Sequence, residues 1–325
     1  MDYEFIFGIQ NDHDFEESAL RVFRHQYIHN NTYQRFCNLL GISKNSVTHS
    51  SRIPHLPISF FKTKKIITGP EVTTHSFASS GTTGSIVSKH YIKDVAIYER
   101  SFKKAFDQFY GTPTSYTILA LLPSYLERQD SSLIYMVQNL IDESKNPESG
   151  FYLNNMDHLA TTLKRAEDTG QKTLLIGVSF ALLDLVEKHQ FNLKNTIVME
   201  TGGMKGRRKE LIRSELHEIL QKGFGISQIH SEYGMTELLS QAYSKGNGLF
   251  QCPPWMRVKT RDTEDAMSPV GVTKTGGINV IDLANYHSCS FIATQDLGKT
   301  QEDGSFEILG RFDHSDIRGC NLMSL

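Results

Sequence analysis

Between Asp14 and Leu40 the apolar and aromatic residues Phe15, Ala19, Val22, Phe23, Tyr27, Tyr33, Phe36, Leu39 and Leu40 recur at helical spacing. Asn30-Asn31 interrupts the run and predicts a helix break. A helical lead-in is therefore expected over residues 1–55. Ile53-Pro54-His55-Leu56-Pro57 cannot continue it, because each proline biases the residue before it toward extended geometry. Farther along, Asp94 is placed to cap a helix with one apolar face made by Val95, Tyr98, Phe102, Ala105, Phe106 and Phe109, and Gly111 is placed to end it.

A regular alternation follows. Residues 116–122, 173–178, 196–199 and 228–230 read as strands, and residues 131–141, 180–189 and 205–222 as helices. In the last helix Leu211, Ile212, Leu216, Ile219 and Leu220 are expected to face inward, with Gly223 and Gly225 at its end. Strands separated by helices require crossover connections, so the fold class is α/β, with a mainly parallel sheet flanked by helices over residues 56–250. After residue 251 short β-like runs at 256–259, 277–281, 289–294 and 305–309 are separated by turn-rich segments. They predict a small antiparallel β subdomain over residues 251–325 that ends in a truncated tail.

Composition narrows the partners. A formal charge of −2 and 22% charged residues give no global bias toward nucleic acid or an anionic membrane, so a small-molecule substrate fits better. Cys37, Cys252, Cys289 and Cys320 are scattered, with neither zinc-ribbon nor redox spacing, as expected of a protein in a reducing cytoplasm. The first residues lack the pattern of a secretion signal, and no apolar run is long enough to form a transmembrane segment.

The densest chemical signal is Ser79-Ser80-Gly81-Thr82-Thr83-Gly84-Ser85, followed by Lys89-His90. Glycine turns let backbone N–H groups converge, and Ser and Thr hydroxyls add donors, so such a loop suits a polyphosphate. It is not a Walker loop, because no Gly-Lys-Ser/Thr follows at the required spacing. A second signal, His230-Ser231-Glu232-Tyr233-Gly234-Met235-Thr236-Glu237, follows an expected strand and should lie where loops gather at the carboxyl ends of a parallel sheet.

In this order the two segments resemble the acyl-adenylate-forming superfamily, which includes acyl-CoA synthetases, luciferase and peptide-synthetase adenylation domains. The resemblance implies that Tyr233 lies against adenine, Thr236 near the α-phosphate and Glu237 on a magnesium ion. Each role suits its residue type, since aromatic faces stack on bases and carboxylate oxygens suit magnesium. Gln295-Asp296-Leu297-Gly298 resembles the segment whose Asp accepts from the ribose hydroxyls, although Gln295 replaces a glycine. Gly310-Arg311 resembles the start of the hinge segment with its nucleotide-contacting arginine. Thr201-Gly202-Gly203-Met204 resembles a turn that lets backbone approach adenine. With Lys205, Arg207, Arg208 and Lys209 after it, an anion site and a solvated helix start both remain open for that region.

The order of motifs matches the superfamily from about residue 60 to 319. Within it the chain resembles the bacterial acyl-protein synthetases, the long-chain-fatty-acid–luciferin-component ligases, through Phe60-Phe61-Lys62, residues 201–207 and Ile317-Arg318-Gly319-Cys320. The resemblance implies ATP and Mg2+ as cofactors and a fatty or other carboxylic acid as substrate. The acceptor would be a thiol: Cys320 itself, an acyl carrier protein, another acyl-accepting protein, or CoA. Thr82, Thr83 and Lys89 would offset charge at the phosphates beside Thr236 and Glu237, with Ser79, Ser80, Gly81 and Gly84 completing the loop. Cys320 fits a small buried residue equally well. The chain stops at Leu325, where superfamily members continue into a domain that contributes a lysine; Lys89, Lys205 and Lys299 are the candidates to replace it. An acyltransferase using a preformed thioester, and a non-catalytic nucleotide-binding subunit, are the alternatives. Ser179, His158 and His230 are expected near the pocket.

Overall fold

The computed structural model describes residues 3–70, 72–79, 86–122, 130–152, 155–202 and 211–311. Helix α1 (Asp12–His29) is capped by Asn11, whose side chain accepts from the Asp14 N–H. Asn30 ends α1 through its N–H to Gln26 O and caps α2 (Asn31–Leu39) by accepting from Tyr33 N, so the expected break falls where the sequence puts it. Its Nδ2 donates to Ser288 O at 2.9 Å, and Gln26 Nε2 donates to the carbonyls of Asn285 and Tyr286. The lead-in is thereby bolted to a turn some 260 residues away in sequence.

The chain next forms the two-residue strand β1 (Leu56–Pro57), the single-turn helix α3 (Phe60–Thr63), and a hairpin of β2 (His75–Ala78) with β3 (Lys89–Ile92). Helix α4 (Val95–Tyr110) is capped by Asp94, and Gly111 follows at φ 82°, as expected. Alternation then gives β4 (Thr117–Leu121), α5 (Ser132–Ser144), β5 (Gly150–Phe151), α6 (Met156–Asp168), β6 (Thr173–Gly177), α7 (Ser179–Lys188), β7 (Thr196–Glu200), α8 (Arg213–Phe224) and β8 (His230–Tyr233). All five residues of β4 and all five of β6 are buried, as strands covered on both faces require.

Helix α8 corrects one expectation. Leu216, Leu220 and Phe224 form the buried stripe, whereas Ile212 is 64% and Ile219 43% exposed. Gly223 lies inside the helix, where a Cβ would come within 2.4 Å of Val186 Cβ, and Gly225 at φ 69° supplies the left-handed cap. Gly223 lets α7 approach closely, and Ile212 stands before the first residue of the helix, so the inward face begins at Leu216.

Strands β9 (Ala242–Ser244), β10 (Leu249–Gln251), β11 (Met256–Arg261), β12 (Gly276–Asp282), β13 (Phe291–Thr300) and β14 (Phe306–Arg311) complete one continuous sheet. Its order is β11-β12-β13-β14-β10-β9-β8-β7-β6-β4-β5, with β1 beside β13. The run from β5 to β8 is parallel and the run from β8 to β11 antiparallel. The antiparallel strands after residue 251 are thus hydrogen bonded to the α/β half through β9 and β10, each three residues long and too short to read as a period-two pattern. The change from parallel to antiparallel pairing occurs at β8, and the turn after Tyr233 lies beyond that strand's carboxyl end.

Candidate active site

A cleft of about 680 Å3 lies at that switch point. Its walls include Ser79, Ser88, Gly202, Arg213, Tyr233, Gly234, Thr236, Glu237, Asp296 and Arg311. Segments that the sequence separates by more than 200 residues meet here.

Asp296 of β13 and Arg311 of β14 are direct cross-strand partners. Arg311 Nε donates to Asp296 Oδ1 at 3.1 Å, and the Tyr233 hydroxyl donates to Oδ2 at 2.7 Å. The Tyr233 ring is buried in edge contact with Phe250 and Phe306. Burial, then the charge of Asp296 and the hydrogen bond to it, push the phenol well above its ordinary value, so Tyr233 acts as a donor. Each Asp296 oxygen retains lone-pair capacity for a further donor.

Glu237 is 6% exposed. Burial raises its carboxyl above the ordinary range against the opposing hydrogen bond from Ser88 and the charge of Arg311. A buried carboxyl facing a cleft suits a cation, and magnesium needs only one or two carboxylates when phosphates supply further oxygens. No cluster of three or more His, Cys, Asp or Glu suited to a metal occurs among the described residues.

The turn carrying Thr236 and Glu237 is pinned from behind by residues that no motif announces. His90 Nδ1 lies 2.9 Å from Thr236 O, and His90 Nε2 lies 2.7 Å from Ser288 Oγ. Burial pushes the imidazole down to about 4, so it is neutral at physiological pH. A carbonyl only accepts, so Nδ1 carries the proton and Nε2 accepts from Ser288. Asn285 Nδ2 donates to Glu237 O at 2.8 Å. Asp282 accepts from the N–H groups of Leu239, Ser240 and Ala284 and from the Ser240 hydroxyl. Asn285 and Asp282 carry no local signal and were missed, and His90, though it follows the glycine loop in the sequence, shows its role only through Thr236 and Ser288.

The neighbouring turn is built on Glu200. Gly202, at φ 66°, donates its N–H to Glu200 Oε2 at 2.6 Å. Burial opposes ionisation of Glu200, yet the hydrogen bond from His217 and the charge of Arg213 hold its pKa down to about 2. Arg213 thereby brings a cation to the cleft wall.

The structure brings together Ser79, Gly202, Tyr233, Gly234, Thr236, Glu237, Asp296 and Arg311. Ser79 and Ser88 are hydrogen bonded to each other and bracket the glycine loop. Ser80, Gly81, Thr82, Thr83, Gly84, Gly203, Lys205 and Cys320 lie outside the described residues. Lys89 is exposed on β3, and Lys299 sits opposite Glu307 on β13; neither is among the lining residues, whereas Lys62 of α3 is. Ser179, His158 and His230 do not line the cleft. Ser179 instead donates to Glu200, His158 packs on Tyr152 and His230 on Tyr110, because each belongs to the packing beneath or beside the sheet.

The fold is similar to that of adenylate-forming enzymes. The chain is similar to a 2-hydroxyisobutyryl-CoA ligase solved with 2-HIB-AMP and CoA, at TM-score 0.68 and 13% identity over 96% of this chain and 75% of that one. It is also similar to ATP-bound MatB from Rhodopseudomonas palustris, at TM-score 0.55 and 18% identity over 73% of this chain and 47% of that one. It spans about half the length of the MatB chains. No curated protein sequence matches it significantly. The profile described as acyl-protein synthetase, LuxE, matches residues 8–108 and 140–324, and the chain belongs to that family.

Proposed function

We propose that the protein activates a carboxylic acid with ATP as an acyl-adenylate and passes the acyl group to a thiol. The observation that carries this reading is the Asp296 carboxylate, held by Tyr233 and Arg311 in the same cleft as Glu237 and the ends of the glycine loop. Asp296 would accept from the ribose hydroxyls and Tyr233 would border the base. Arg311 and Arg213 would offset phosphate charge. Glu237 would hold the magnesium ion, which when bound supplies neutralisation of the phosphate oxygens. An oxygen of the acid attacks the α-phosphorus and pyrophosphate leaves; the thiolate then attacks the acyl carbon and AMP leaves. The chain's donors lower the barrier by offsetting charge where it develops. Cys320, an acyl carrier protein and CoA are the candidate thiols, and family membership favours an acyl-protein product.

Pyrophosphate release on incubation with ATP, Mg2+ and a panel of acids tests the reading. Acid-dependent release is expected. ATP binding with no release for any acid overturns it in favour of a nucleotide-binding subunit. Acyl transfer from a preformed thioester without ATP favours the acyltransferase alternative.

A further inference from the structure

Residues 234–241 lie between β8 and β9 in no helix or strand, yet Glu237, Leu238, Leu239 and Ser240 are all buried. Buried irregular backbone must find its hydrogen bonds outside a ladder, so whatever satisfies this segment also fixes where Thr236 and Glu237 stand. Its partners come from the residues around one 3-10 turn, Leu283–His287. Asp282, which caps that turn, accepts from the N–H groups of Leu239 and Ser240 at 2.8 and 2.9 Å, and Asn285 Nδ2 donates to Glu237 O at 2.8 Å. Ser288 reaches Thr236 O through His90.

The other side of the 3-10 turn is held by the helical lead-in. Gln26 of α1 is fully buried; its Oε1 accepts from the Ser290 N–H at 2.9 Å, and its Nε2 lies 3.0 and 3.1 Å from the carbonyl oxygens of Asn285 and Tyr286. Asn30 Nδ2 and the Thr68 hydroxyl donate to Ser288 O. Asn285 therefore joins the two sides, because its carbonyl takes a bond from Gln26 while its amide gives one to Glu237 O. A primary amide suits position 26, since its NH2 faces the carbonyls and its oxygen faces the N–H. A carboxylate would turn lone pairs on both carbonyls, and a leucine would leave all three groups without this partner.

We propose that Gln26 is a positioning residue for the reaction: through Asn285 and the 3-10 turn it holds the backbone of Thr236 and Glu237, the residues assigned to the α-phosphate and the metal. The inference rests on the acid-activating reading above. Gln26 does not line the cleft, so it acts only through the turn. Tyr233, Asp296 and Arg311 stand on β8, β13 and β14 instead, so nucleotide binding and turnover should separate when Gln26 is changed.

The test compares Gln26→Leu with Asn11→Ala, which removes the α1 cap at the far end of the helix and weakens α1 without touching the 3-10 turn. Gln26→Leu should lower kcat for ATP-dependent pyrophosphate release by about tenfold or more, as small misplacements remote from the chemistry do, with ATP affinity measured without Mg2+ unchanged. Asn11→Ala should keep kcat, and denaturant unfolding of both variants sets turnover beside stability. Hydrogen exchange at the Leu239 and Ser240 amides should quicken about tenfold in Gln26→Leu and stay as it is in Asn11→Ala. Adding Asn285→Ala to Gln26→Leu should lower kcat little further than either alone, since both act through one link. Gln26→Glu, close in shape, is the second variant should Gln26→Leu not fold, and the same split between kcat and ATP affinity is expected of it. Wild-type kcat in a folded Gln26 variant, or equal losses of kcat and amide protection in Gln26→Leu and Asn11→Ala, overturns the inference and leaves acid activation standing. No release from the wild type with any acid overturns the acid-activating reading and any role in turnover with it, whereas quickened exchange at Leu239 and Ser240 would still show Gln26 holding the segment.

Discussion

The Tyr233 hydroxyl donates to Asp296 Oδ2 at 2.7 Å while Arg311 holds the other oxygen of the same carboxylate. A carboxylate fixed at both oxygens would lose little freedom on meeting a ribose, so on the proposed reading its contribution to nucleotide affinity would be pre-organised. Asp296→Asn keeps the shape but removes the charge that orients Arg311. We expect KM for ATP to rise about tenfold, since a charge-assisted hydrogen bond contributes roughly 1.5–3 kcal/mol. Nucleotide titration of the variant checks this, and unchanged ATP affinity would remove Asp296 from the nucleotide site.

For Glu237→Gln, stability and activity should part company. Burial disfavours the ionised carboxylate, so the amide should fold at least as well. Magnesium-dependent turnover should fall by about a hundredfold or more, in keeping with loss of an electrostatic group at the reacting centre. A melting curve beside a pyrophosphate assay measures both, and retained turnover would reassign the metal ligand.

His90→Phe fills the same space and abandons two partners. Thr236 O would be left without the imidazole at a cost of about 1–3 kcal/mol, while the Ser288 hydroxyl would fall back on the Asn285 carbonyl. Denaturant unfolding should show a lower midpoint, and turnover should fall because the turn bearing Glu237 loses its anchor. Wild-type stability with reduced turnover would point instead to a direct role in the reaction.

Glu232 gives a pH signature. Burial pushes its folded pKa up to about 8 from the ordinary 4.5, so the folded state keeps the proton that the unfolded state releases. The folded state's advantage from this group is full below about 4.5 and declines as pH rises toward 8, by about 1.4 kcal/mol per pH unit in that window. Subtracting the stability of Glu232→Gln from that of wild type at each pH isolates the effect from that of the buried histidines, whose lowered pKa values act with the opposite sign. A difference independent of pH would mean that Glu232 is ionised in the folded protein.

Cys320→Ser tests the proposed internal acceptor. Labelled acyl donor should no longer form a hydroxylamine-sensitive adduct on the protein, while pyrophosphate release persists. A thioester label that survives the substitution would move the acceptor to another thiol.

Much of the fold was legible locally. The Asp94 and Asn30 caps, the buried strands of the parallel half and the amphipathic helices each follow from residues within a turn or two of one another. The inward face of α8 was misread because it depends on packing against α7, where Gly223 meets Val186, and because Ile212 lies before the helix begins. Strands β9 and β10 escaped because three residues carry no usable period. In the site, Tyr233 through Glu237, Asp296 and Arg311 were readable as motifs, whereas the parts played by Ser88, His90, Asn285 and Asp282 were not. Their roles exist only through partners far away in the chain.

The element types, the order of the glycine-rich segment and the Tyr233 turn, and membership of an adenylate-forming lineage were all written in residue order, because capping, periodicity and short motifs are local. That one carboxylate is shared by Tyr233 and Arg311, that a neutral His90 supports the Glu237 turn, and that Glu232, Gln241 and Met136 line the same cleft came only with folding. These relationships depend on β8, β13, β14 and two helices converging at the point where the sheet changes from parallel to antiparallel. No local pattern specifies which distant side chains a shared sheet edge will bring into contact.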